Sequence, residues 1–174
     1  MMDDIYEKVE SERNALEKVI NAIPGWSGYQ KRQKRRDADR LLRETLATKL
    51  QEQRQRLDAA QRKLIATGRL DLVDDVESSV TQLKTFTDRI RFASYGYAGL
   101  FDAVKVEEEE LKQLYDFDAA LIDYAERLDT ANDHLRTAIS EGEGLEETIE
   151  IIQEIVREAN TTFDRREHLI LESQ

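Results

Sequence analysis

Apolar residues along this chain recur every third or fourth position, the spacing that keeps side chains on one face of an α-helix. In DDIYEKVESERNALEKVINAI the line is Ile5, Val9, Leu16, Val19, Ile20 and Ile23, and Pro24-Gly25 closes it because proline cannot continue the hydrogen-bond ladder. A second line, Leu42, Leu46, Leu50, Leu57, Ala60 and Leu64, ends at the stop signal Gly68. A third runs Val73, Val76, Val80, Leu83, Thr87, Ile90, Ser94, Tyr97, Phe101 and Val104 without a change of phase. It passes straight through Gly96 and Gly99, so it predicts a helix to about residue 103.

The phase then breaks. Leu114, Leu121, Leu128 and Leu135 fill one core position of a new heptad, and Leu111, Asp118, Ala125, Asn132 and Ile139 fill the other. Ser140 to Gly144 reads as a turn. The last two lines are Ile149, Val156, Phe163, Ile170 and Leu145, Ile152, Ala159, Arg166. The pattern therefore predicts helices at about 3–23, 30–67, 71–103, 107–140 and 145–172. Four are long and the leading one is shorter. Short connections make sequence neighbours antiparallel. The expected fold is all-α: a single-domain, elongated up-down antiparallel bundle over residues 1–174 with coiled-coil-like packing.

Composition agrees with long helices, since 174 residues contain one proline and seven glycines. No apolar run is long enough for a transmembrane helix, and the acidic N-terminus MMDDIYEKVESE lacks a secretory signal pattern, so a cytoplasmic location is the expectation. Zero cysteines remove disulfides, thiolate metal sites and thiol nucleophiles.

Charge changes the picture more than composition does. The net charge is −11, yet residues 31–69 carry thirteen basic and five acidic groups, while residues 70–174 carry ten basic and twenty-six acidic. One basic helix thus sits among acidic ones. Its densest part, Lys31, Arg32, Lys34, Arg35 and Arg36, is a candidate anion or ion-pair patch. In an up-down bundle the helix starting there and the one starting at Glu107-Glu108-Glu109-Glu110 begin at the same end, so Arg35 and Arg36 are expected to pair with carboxylates. The alternative is a peripheral contact with anionic lipid or nucleic acid, which the overall acidity opposes.

Catalytic patterns fail on spacing. Bundle metal sites use Glu-x-x-His pairs, but Ala131 precedes His134 by three and Arg165 precedes His168 by three, and both histidines fall on outward positions. A carboxylate metal site is the remotest reading. No phosphate-binding glycine loop occurs. The expectation is therefore no enzyme, no metal and no cofactor. Asp118 and Asn132, polar on core lines, are expected to set register. Trp26, Tyr29, Tyr95, Tyr97 and Phe101 form a candidate aromatic docking cluster at one end. Ile151, Ile155 and Leu169-Ile170-Leu171 widen the last helix's apolar face, which suggests self-association or a helical protein partner. The function expected is a non-enzymatic scaffold or protein-interaction module.

Overall fold

The computed structural model describes residues 17, 18, 21, 32–93 and 108–172, with side chains left aside at 32–39, 108–112, 114, 115 and 169–172. Its elements are α1 (Arg32–Ala66), a 3-10 turn (Leu70–Leu72), α2 (Val73–Phe92), α3 (Glu108–Glu141) and α4 (Leu145–Glu172). Residues 17, 18 and 21 are also helical. An all-α bundle is what the periodicity predicts, and it is what forms.

The first hairpin closes where the backbone demands glycine. Gly68 takes φ 78°, the Arg69 N–H donates to the Leu64 carbonyl at 2.9 Å, and the Gly68 N–H donates to Ile65 at 3.2 Å. This paired bonding occupies carbonyls that the last turn of α1 would otherwise leave open. Gly142 plays the same part at the end of α3, with φ 77° and its N–H on Ala138 at 2.8 Å.

Cross-helix bonds fix the directions. Arg91 of α2 reaches Gln51 of α1, and Arg43 donates to the Ala93 carbonyl, so α1 and α2 are antiparallel. Asp118–Arg166, Tyr124–Thr162 and Arg127–Glu158 make α3 and α4 antiparallel. Between the hairpins the numbering rises together: Gln53 and Arg56 meet Asp129 and Asp133 across α1/α3. Likewise Gln153 meets Asp75 and Arg89 meets Asp164 across α2/α4. The order around the bundle is therefore α1-α2-α4-α3, with α1 beside α2 and α3, and α4 beside α3 and α2. The sequence neighbours α2 and α3 lie diagonally and share no principal interface.

Core positions agree with the periodicity on three helices. Leu46, Leu50, Leu57 and Leu64, then Leu121, Leu128 and Leu135, then Leu145, Ile149, Ile152, Val156, Ala159 and Phe163 are all buried. The second helix differs in two ways. Its buried face holds Ser79 and Phe86 as well as Val76, Leu83, Thr87 and Ile90, so Val80 and Val73 move to the half-buried edge. Phe86 packs edge-on against Phe163 with ring centroids 5.9 Å apart, which draws the face toward α4.

The second difference corrects the expected end of this helix. It stops at Phe92 rather than continuing to about 103, because Ala93 leaves the helical region at ψ 76°. The Arg43 guanidinium satisfies the Ala93 carbonyl there, and Arg89 and Arg91 place positive charge in the last turn, where the helix dipole favours it. The rest of the expected stretch, residues 94–103 with Gly96 and Gly99, lies outside the described residues.

Candidate functional site

Two polar centres lie in the core, and both expected register residues belong to them. Asp118 and Arg166 meet across α3/α4, with Arg166 Nε donating to Asp118 Oδ1 at 2.7 Å. Arg166 is only 1% exposed and Asp118 7%. An arginine on a core line needs a carboxylate to hold it there, and the heptad places one on the facing helix. The Phe163 ring lies 6.0 Å from the Arg166 guanidinium and 5.0 Å from that of Arg89, adding cation–π contact.

The second centre joins α1 to α3. The Asn132 amide donates to Gln53 Oε1 at 3.0 Å and, more weakly, to the Gln53 carbonyl. Gln53 Nε2 donates to Asp129 at 2.9 Å. Arg56 then binds Asp129 at 2.5 Å and Asp133 at 2.6 Å. Gln53 takes a core position that the apolar reading of α1 skips between Leu50 and Leu57, and it is buried.

Charge holds the hairpins together in one sense. Residues 32–92 contain fifteen basic and ten acidic groups, a balance of +5; residues 108–172 contain six and nineteen, a balance of −13. Each ion pair between the hairpins among the described residues has its cation on the first and its carboxylate on the second: Arg56 with Asp129 and Asp133, Arg69 with Glu146, Arg89 with Asp164 and Glu167. Lys18 adds a third element to α3, bonding Asp123 at 2.8 Å and Glu126 at 3.3 Å.

These contacts also move proton affinities. Hydrogen bonding to Asp123 raises Lys18. Asp71 is held below its ordinary 3.8, chiefly by its bond from Arg69. Glu146 is held below 4.5 by its own backbone N–H and then by Arg69. For Arg89, burial disfavours the charge, but Asp164 and Glu167 outweigh it and the net shift is upward.

Not every carboxylate finds a cation. Asp74, Asp75 and Glu77 at the start of α2, with Glu141, Glu143, Glu147 and Glu150 around the α3–α4 turn, have no ion-pair partner among the described residues. The Arg69–Glu146 bridge shows that these two turns share one end of the bundle. Leu70 (64% exposed) and Ile65 (51%) stand at that same end. The basic residues Arg32, Lys34, Arg35 and Arg36 belong to the opposite end, at the start of α1.

Of the candidate patch, Lys31 lies outside the described residues, and Arg32, Lys34, Arg35 and Arg36 occupy the opening turns of α1, their side chains outside the description. The parallel α1/α3 register places that stretch level with the acidic start of α3. Trp26, Tyr29, Tyr95, Tyr97 and Phe101 all lie outside the described residues. On α4, Ile155 is buried within the chain and Ile151 is half exposed, so the widened stripe at that level mostly faces inward. His134 and His168 are both exposed. Among the described residues no three His, Cys, Asp or Glu groups converge on a metal-sized site, and no helix is long and apolar enough to cross a membrane. Comparison with protein-family models, curated proteins and solved structures finds no match.

Proposed function

We propose that this chain is a non-catalytic helical interaction module whose acidic end receives a basic protein partner. The observation that supports it is the group of seven carboxylates without cation partners around the two hairpin turns, beside exposed Leu70 and Ile65. Apart from Arg69–Glu146, the ion pairs between the hairpins lie away from these seven carboxylates. Exposed like charge flanking apolar side chains suits an interface with a cationic, amphipathic surface: the charges steer encounter and the apolar groups give contact area. The test is co-purification from the source cells with the wild-type chain and with a Glu143→Lys/Glu147→Lys/Glu150→Lys variant of unchanged helicity. A partner held by the wild type, released by salt and lost from the variant supports the reading. Equal retention by both rejects the acidic end as the docking surface.

A second reading rests on α1, whose first turn contains no acidic residue. Cations at the positive end of a helix dipole favour a nearby anion. The start of α3 supplies one answer, and an anionic lipid or nucleic-acid surface at Arg32–Arg36 is the other. Anionic vesicles that bind the chain at low salt, and release it after Arg32, Lys34, Arg35 and Arg36 are changed to Gln, would support the external partner.

A further inference from the structure

A cleft of about 140 Å³ opens between α1 and α3, just beyond the Gln53–Asn132 pair. Its apolar lining is Ala59, Ala60 and Ile139. Lys63 of α1, Arg136 of α3 and Arg56 of α1 also line it. Arg56 is committed to Asp129 and Asp133. The other two cations are not so engaged: Lys63 has no carboxylate partner among the described residues, and Arg136 touches only Asp133, at 3.5 Å. Asn132 also lines the cleft and is 4% exposed. Its amide N–H group donates to Gln53, but no described residue donates to its carbonyl oxygen. A buried acceptor left without a donor is costly, and a donor arriving from the cleft would satisfy it.

We propose that this cleft binds a small hydroxycarboxylate. The carboxylate would lie between Lys63 and Arg136, the hydrocarbon body on the apolar lining, and the hydroxyl would donate to the Asn132 carbonyl. The volume suits a body near the size of a benzene ring, for which cavities of about 150 Å³ suffice. The site does not depend on the protein-interaction reading, because it lies in the α1/α3 groove and uses none of the unpaired carboxylates.

The experiment is a two-dimensional NMR titration of the 15N-labelled chain in 150 mM salt with three probes: 4-hydroxybenzoate, benzoate and 4-hydroxybenzyl alcohol. Saturable shifts confined to residues 56–63 and 132–139 are expected with 4-hydroxybenzoate. Benzoate, lacking the hydroxyl, and the alcohol, lacking the charge, are each expected to bind about five- to tenfold more weakly, the effect of one lost hydrogen bond or charged contact. Lys63→Glu and Arg136→Glu, both surface changes, are expected to weaken 4-hydroxybenzoate by at least as much while leaving the rest of the spectrum in place. Absence of saturable shifts would mean that water alone fills the cleft and would overturn the proposal. Equal binding of the three probes, or binding unchanged in both variants, would overturn it as well.

Discussion

Replacing Arg166 by Met should be among the most damaging single changes in this protein. Arg166 is 1% exposed and its Nε lies 2.7 Å from an Asp118 oxygen that is itself buried. Methionine keeps much of the volume but removes the charge, leaving the Asp118 carboxylate without the guanidinium it faces. Removing one member of a buried pair costs about 3–5 kcal/mol. For a chain of this length each kcal/mol lowers the midpoint by roughly 2–4 °C, so a fall of about 6–20 °C is expected. The double variant Asp118→Leu/Arg166→Met removes both charges, and apolar replacement of a whole buried pair is commonly neutral or stabilising, by up to about 4 kcal/mol. It should therefore recover most of the loss. Thermal and urea unfolding followed by circular dichroism measure all three proteins, and the double-mutant cycle isolates the pair. A single-variant cost below about 1 kcal/mol, or losses that simply add, would refute the argument.

Asn132→Ala strips the donor from Gln53 at the α1/α3 seam and should cost about 1–3 kcal/mol in the same melts. Phe86→Ala empties a fully buried site against Phe163; a loss of about 3–5 kcal/mol is expected. Arg69→Gln tests the hairpin ends by pH. Asp71 and Glu146 have folded values below their ordinary 3.8 and 4.5, so their contribution is present above those values and is lost as pH falls through the lower folded ones. The stability difference between wild type and Arg69→Gln should therefore be present at pH 6 and narrow below pH 4.5, and a difference that does not change with pH would exclude this linkage.

Much of the fold is legible in the sequence because helical periodicity states which face turns inward. Leu121, Leu128 and Leu135, or Ile149, Val156 and Phe163, admit one phase, and they are buried in that phase. The second helix is less determined, since Val76-Val80-Leu83-Thr87-Ile90 and Val76-Ser79-Leu83-Phe86-Ile90 both step by three and four. Phe163 on α4 decides between them by offering Phe86 a ring to pack on. Its end was hidden for a related reason: the Ala93 carbonyl is satisfied by Arg43, fifty residues earlier in the chain. Periodicity cannot name neighbours. Asp118, Asn132 and Arg166 all stand out as polar groups on core lines, but only the arrangement of the helices assigns Arg166 to Asp118 and Gln53 to Asn132. The charge split along the chain likewise signals attraction between its halves. It does not single out Arg56, Arg69 and Arg89 as the residues that carry it among the described ones.

The order α1-α2-α4-α3 creates the charged seams, the α1/α3 cleft and the shared acidic end. The natural chain contains no cysteine, so introduced pairs report without background. Arg56→Cys with Asp133→Cys places thiols on side chains that meet at 2.6 Å across α1/α3. Arg56→Cys with Glu154→Cys places them across the diagonal to α4, at the same level of the bundle. A short thiol-reactive cross-linker, a bis-maleimide, should join the first pair within one monomer and leave the second open. Cross-linking of the Arg56/Glu154 pair in preference to Arg56/Asp133 would contradict the arrangement and everything derived from it.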